Sequence, residues 1–164
     1  MNVNGKAVIG RPHCRHMSFD SPSFILTQAL SADTEALVAL RIEAMCESLQ
    51  NVGRFDPVRA RDRFLATFDP AHTSHIEVAG HRVGFVVVKP GEGEFLLDHL
   101  YVKPAHQGKG IGAAVLQHVF AQARSTGVPV RVGALRGSRS NEFYRRHGFV
   151  EVSRGEFDIY YVRA

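Results

Sequence analysis

The chain reads as an α/β protein of the α+β kind, a mixed, mostly antiparallel central sheet flanked by helices on both faces. Strand-type and helix-type segments follow in the order β-α-α-β-β-β-α-β-α-β-β between residues 24 and 163. Three consecutive strands are joined by short turns, which antiparallel neighbours allow and parallel ones do not. Helices interleave with the remaining strands and need both faces of the sheet for their apolar sides.

Phe24 to Leu30 reads as the first strand, with Phe24 and Leu26 on one face and Leu30 a further candidate for it. Ser31 offers a helix cap, and Asp33 and Glu35 place negative charge in the first turn. Leu37, Leu40, Ala44 and Met45 then recur at helical spacing, which predicts a helix over residues 32–50. Asp56-Pro57 opens a second helix, a cap followed by proline at the first helical position, and Asp69-Pro70 closes it. Ser74–Ala79 and Val83–Lys89 flank the short hairpin connection Ala79-Gly80-His81-Arg82, and Glu94–Val102 completes a three-strand meander after the turn Lys89-Pro90-Gly91-Glu92-Gly93. A helix runs from the glycines to Gly127, with Ile111, Val115, Val119 and Ala123 on one face. Val128–Leu135 is a strand, Ser138–His147 a helix ended by Gly148, and Phe149–Ser153 with Glu156–Arg163 a last strand pair.

With 164 residues, 45% hydrophobic and 22% charged, the chain suits one domain with its own core. Residues 1–22 have no periodicity and are expected to be a flexible N-terminal extension to a domain spanning residues 23–164. The cluster His13-Cys14-Arg15-His16 lacks a second ligand group, so no metal site is expected. Two cysteines make no disulfide framework, no apolar run has the length of a membrane span, and the N-terminus lacks the order of a signal peptide; a cytoplasmic protein is expected. Charge is uneven: residues 1–100 hold ten Lys/Arg against twelve Asp/Glu, and residues 101–164 ten against four. The basic residues form no dense run and carry no stacking-aromatic motif, which argues against nucleic acid and for a phosphate-rich small ligand.

That ligand has an obvious seat. In Gln107-Gly108-Lys109-Gly110-Ile111-Gly112 three glycines alternate at a helix start, where unpaired N–H groups and the positive dipole end attract an anion and no Cβ blocks it. A Walker loop is excluded because Lys109 is followed by Gly110 rather than Ser or Thr. A dinucleotide turn fits Gly108-x-Gly110-x-x-Ala113 on paper, but Pro104-Ala105-His106 separates strand from glycines and the next strand has no acid for a ribose.

Val102-x-Pro104-x-x-Gln107-Gly108-Lys109-Gly110-Ile111-Gly112 resembles the acyl-CoA-binding motif Q/R-x-x-G-x-G/A of the GNAT superfamily of N-acetyltransferases. Asn141-Glu142-Phe143-Tyr144-Arg145-Arg146-His147-Gly148-Phe149 is similar to the family's later F/L-Y-x-x-x-G-F motif, one helix and one strand further on. The likeness extends over about 140 residues, from Phe24 to Val162. It implies transfer of an acetyl group from acetyl-CoA to an amine, without a metal and without nucleic acid or membrane as partner. A non-catalytic acyl-CoA-binding regulatory domain is the alternative, and a homodimer through the late strands is common in such proteins.

The resemblance also assigns residues. The amides from Gly108 to Gly112, Ile111 included, would cradle the pyrophosphate, with Lys109 adding a point charge and Gln107 shaping the loop. Leu100 and Val102 would pair through their backbone with the pantetheine arm, and an N–H of that region would meet the oxygen that gains charge. Tyr144 matches the tyrosine that protonates the departing thiolate; a core tyrosine is the other reading. The carboxylate that several relatives carry twelve residues before that tyrosine is replaced here by Val132. Asp98 is the candidate base instead, or an anchor for a cationic substrate, and His99 is expected on the opposite side of its strand. The asparagine seven residues before the tyrosine is replaced by Gly137, with Ser138 or Asn141 expected to make its cofactor contact. Glu43, Glu47, Asp56 and Asp62 on or near the early helices hint at a cationic acceptor, or form a solvated face.

Overall fold

A computed structural model describes residues 21–53 and 55–164. The chain forms β1 (Ile25–Gln28), α1 (Thr34–Asn51), α2 (Pro57–Thr67), β2 (Thr73–Val78), β3 (His81–Gly91), β4 (Glu94–Val102), α3 (Ile111–Thr126), β5 (Val130–Leu135), α4 (Ser140–Arg146), β6 (Val150–Arg154) and β7 (Asp158–Arg163). The strands make one sheet in the order β1-β2-β3-β4-β5-β7-β6, antiparallel throughout except for the parallel pair β4–β5. The expected fold class and element order hold. The expectation for residues 1–20, the His13–His16 cluster included, lies outside the described residues.

Each helix sits where its apolar spacing puts it. On one face Ile111, Val115, Val119 and Ala123 of α3 are buried with Val86, Leu97, Val132 and Tyr161 of the sheet. On the other, Leu37, Val38 and Leu40 of α1 and Phe64 of α2 close over Phe85 and Val87. Asp56 caps α2 by accepting the Arg59 N–H at 3.1 Å, with Pro57 beginning the helix. Ala79 and Gly80, at φ +50° and +79°, form the two-residue connection between β2 and β3. Leu30 departs from its expected place: it is 65% exposed, because β1 ends at Gln28 and a short turn at Ser31–Asp33 carries the chain outward.

Two irregularities in β4 position everything that follows. Val87 of β3 pairs with His99, yet Val88 pairs with Leu97, so Asp98 is an extra residue bulging from β4. Alternation therefore slips by one. Leu97 and Leu100 both face the α3 core, whereas Asp98, beside Lys89, and His99, against Phe64 and Phe85, both face α1 and α2. This corrects the expectation that His99 points away from Asp98. In addition, β4 and β5 pair only from Phe95↔Val130 to Leu97↔Val132 and then part, leaving the β5-facing edge of β4 without a ladder from Asp98 onward.

Close backbone approach holds β4 against β3. A Cβ on Gly84 would lie 2.2 Å from the Tyr101 carbonyl oxygen, so Gly84→Ala forces backbone to move. We expect this variant to lose roughly 3 kcal/mol of stability, read as a lower midpoint in urea.

Candidate active site

The split between β4 and β5 opens a cavity of about 590 Å³ whose floor is the glycine loop and the start of α3. Gln107 Nε2 donates to the Val102 carbonyl at 2.8 Å and ties the loop back to the end of β4. Gly108 and Gly110 take φ of +73° and +80°, where a side chain would be strained. The amides of Gly108, Lys109, Gly110, Ile111, Gly112 and Ala113 find no acceptor among the described residues; the ladder of α3 begins only with Ala114 N–H to Gly110 O at 3.0 Å. Six consecutive unmet donors at the positive end of a 16-residue helix form a site for a large anion.

Of the residues expected to bind the cofactor, Leu100, Val102, Gln107, Gly108, Gly110, Ile111 and Gly112 line this cavity, while Lys109 stands exposed outside it. Asn141 is placed differently from its expected cofactor contact. Its Nδ2 donates to the carbonyls of Leu135 and Ser138 at 2.8 and 3.0 Å, and its Oδ1 accepts from the Tyr161 hydroxyl at 2.9 Å. With its polar atoms so used, it clamps α4 to β5 and β7, and Ser138 and Ser140 take its place on the wall. Val132 is 2% exposed within the α3 core, so a carboxylate at that position would have no solvent access here.

Tyr144 is buried between Phe143 and Phe149, each with its ring centroid 5.3 Å away. Its hydroxyl has no hydrogen-bond partner among the described residues and is not a sealed, unpartnered atom, which leaves it facing the cavity that the residue lines. Burial, with Tyr101 adding to it, holds its pKa well above the ordinary tyrosine value, so the phenol keeps its proton.

A second cavity of about 720 Å³ lies toward α1 and α2. Met45, Asp98, His99, Tyr101, Gly133 and Leu135 line both cavities, so the two meet where the strands part. At that seam Asp98 Oδ2 is 2.6 Å from Lys89 Nζ, which also donates to the Thr67 carbonyl at 3.1 Å. His99 Nε2 lies 3.9 Å from the same carboxylate oxygen. Burial lowers the His99 pKa to about 4, outweighing the pull of Asp98, with Arg41 and Lys89 lowering it further. The ring is therefore neutral near pH 7, and its Nδ1 is buried without a partner among the described residues. The acidic residues of the early helices do not converge here. Glu43 and Asp62 line neither cavity, Glu47 pairs with Arg139 at 2.9 Å, and Asp56 is used as a cap.

Sequence reasoning missed that Asp98 and His99 share a face, because nothing in the alternating pattern announces a bulge. It also passed over Arg41 and Tyr101 at the seam. Arg41 lies in the middle of α1, where its side chain reads as solvated; only the packing of α1 against β4 turns it inward.

Among the described residues no group of three or more His, Cys, Asp or Glu side chains could hold a metal ion, and no helix is long and apolar enough to cross a membrane.

A mixed sheet with parted parallel strands, an anion cradle in the gap and a proton-bearing tyrosine above it define an acyl-CoA-dependent transferase. Comparison agrees. The GNAT acetyltransferase domain family matches residues 70–151. PaiA N-acetyltransferase from Thermoplasma acidophilum, solved in complex with coenzyme A, superposes with a TM-score of 0.71 at 16% identity, covering 86% of this chain and 98% of its own. An acetyltransferase from Thermus thermophilus superposes with a TM-score of 0.70 at 18% identity, covering 87% and 97%. The ribosomal-protein-S18-alanine N-acetyltransferase from Escherichia coli gives 0.64 at 15% identity, covering 85% and 91%. No curated protein matches in sequence. The chain belongs to the GNAT acetyltransferase family and is an acetyl-CoA-dependent acetyltransferase.

Proposed function

We propose that the protein transfers the acetyl group of acetyl-CoA to a primary amine by direct attack, the amine entering from the α1–α2 side. The observation that carries this reading is the meeting of the two cavities at Asp98, His99 and Tyr101, with the unmet amides of Gly108–Ala113 beneath one of them. The six amides and the gap between β4 and β5 fit the donor: Gly108–Gly112 with Ile111 between them hold the pyrophosphate, Lys109 adds charge from the rim, and the free edge of β4 at Leu100 and Val102 pairs with the pantetheine arm.

Bound acetyl-CoA supplies an electrophilic thioester carbon and a thiolate leaving group. The chain supplies the proton traffic. Tyr144 holds a proton at Oη for the departing sulfur, which its raised pKa permits throughout the neutral range. An alkylamine with a pKa of about 10.4 arrives protonated. Asp98, its charge balanced by Lys89, takes that proton directly or through a water, beside the neutral ring of His99. A backbone N–H on the unpaired edge of β4 meets the carbonyl oxygen as charge builds on it. A cytoplasmic setting belongs to the same reading, and the outer edge of β6, where Val150 and Val152 are exposed, is the surface for a homodimer contact.

The test is thiol release from acetyl-CoA across a panel of primary amines, with Asp98→Asn compared at several pH values. Without the base, turnover depends on amine already deprotonated in solution, so the deficit should be about 100-fold near pH 6 and shrink toward pH 9. An equal loss at every pH would make Asp98 an anchor. No thiol release with any amine would overturn the reading.

A further inference from the structure

The amine-side cavity carries a charge pattern that the early acidic residues do not foretell. Its wall includes four arginines, Arg41 of α1, Arg59 and Arg63 of α2 and Arg131 of β5, and three acids, Asp56, Asp98 and Asp158. Several of these are already matched. Arg131 donates to both Glu94 carboxylate oxygens at 3.1 Å, Asp98 is paired with Lys89, and Asp56 caps α2. What remains is Arg41, Arg59 and Arg63, none within ion-pair distance of a carboxylate among the described residues, against Asp158 alone.

Arg41 stands apart from the other two, which are exposed. It is half-buried, its Nη1 donates to the Ala60 carbonyl at 2.7 Å, and its guanidinium carbon lies 5.9 Å from the centre of the Tyr101 ring. Its charge reaches both Tyr101 and His99: it adds to the burial that lowers the His99 pKa and opposes the burial that still holds the Tyr101 pKa above its ordinary value. Its Nε is buried with no hydrogen-bond partner among the described residues. The guanidinium is thus held at the seam by the Ala60 carbonyl and the Tyr101 hydroxyl, with one donor unmet and no carboxylate balancing its charge among the described residues. A carboxylate is the group whose planar pair of oxygens suits such a fork, and it would offset both costs. A second ammonium would meet the opposite, an uncompensated cation a few ångströms away.

We propose that the acceptor is a small primary amine that also carries a carboxylate, bound by Arg41 with Arg59 and Arg63 at the cavity's exposed side. The inference rests on the reading of this cavity as the amine side of the acetyltransfer site and goes beyond it in naming the substrate class. The arginines also set a distance: an amine presented to Asp98 at the seam leaves the carboxylate toward α1 and α2, where the cavity extends.

The experiment is thiol release with paired substrates. Glycine, alanine, β-alanine and γ-aminobutyrate are each compared with the amine left on removing the carboxylate, and spermidine serves as a polycation. We expect kcat/KM about 10- to 100-fold higher for the best carboxylate than for its stripped partner, the worth of one charged hydrogen-bonded contact. Arg41→Gln should bring that ratio down at least about tenfold. Because Arg41 also ties α1 to α2, the Arg59→Gln, Arg63→Gln double variant, altered only at exposed side chains, is measured beside it and should narrow the same ratio. An unchanged thermal shift with acetyl-CoA shows that both variants remain folded. Faster turnover of spermidine or of the stripped amines, or a ratio untouched in both variants, overturns the proposal and leaves amine acetylation standing. Thiol release from no amine overturns the two together.

Discussion

Tyr144→Phe should lower kcat about 100-fold while leaving acetyl-CoA affinity within about twofold, because general-acid removal costs rate at the chemical step rather than binding. The structure makes this substitution unusually clean. The ring packs edge-on against Phe143 and Phe149, and a phenylalanine ring keeps those contacts. The hydroxyl has no protein partner among the described residues, so its loss strands no buried donor or acceptor elsewhere. Thermal stability should therefore stay within a degree or two of the parent, roughly what a change below 0.5 kcal/mol produces. The direction of the pKa shift adds a further check. A tyrosine held above its ordinary value stays protonated up to about pH 10, so the parent enzyme should show no loss of kcat on the alkaline side below that pH from this group. Steady-state thiol release against pH measures both points. An unchanged kcat in the phenylalanine variant would return Tyr144 to the core.

The parts of this molecule that follow from local rules were readable before its structure. The glycine alternation at 108, 110 and 112 states its own purpose, since only a helix start facing an anion repays three such residues in succession. The 3.6-residue spacing of Ile111, Val115, Val119 and Ala123 fixes which side of α3 meets the sheet, and all four are buried. What the sequence withheld depends on register. The bulge at Asp98 comes from how β3 and β4 align, with Val87 opposite His99 and Val88 opposite Leu97, and no residue type in Leu97-Asp98-His99 marks it. From that single insertion follows the shared face of Asp98 and His99, and the parting of β4 from β5 begins at the same residue. Asn141 shows the complementary error. It was expected to stand in for the asparagine that Gly137 replaces, but the Tyr161 hydroxyl and the Leu135 and Ser138 carbonyls claim its amide, contacts that span the fold and leave no trace in local sequence. Arg41 was illegible for a related reason, since a cation on an amphipathic helix reads as solvent-facing until a strand packs beneath it.

Gly112→Asp should separate the stability of the fold from its ability to hold the donor. Gly112 is the second residue of α3, in helical conformation, and a Cβ there would come 3.6 Å from the Phe143 ring, an ordinary contact. Glycine is the poorest helix former after proline, and an acid in the first turn faces the positive end of the dipole. The variant without ligand should therefore be as stable as the parent, or more stable by about 0.5–1 kcal/mol. Binding should move the other way. The new carboxylate stands beside the unmet amides of the helix start and meets any incoming phosphate with like charge. A loss of at least about 100-fold in acetyl-CoA affinity is expected, since a like-charge clash costs several kcal/mol and each tenfold needs only about 1.4. Thermal shift with and without acetyl-CoA reads both quantities in one experiment: a midpoint equal to or above the parent's alone, and little further rise on adding the donor. If the midpoint still climbs as it does in the parent, the pyrophosphate is held elsewhere and the amides of α3 are only a helix end.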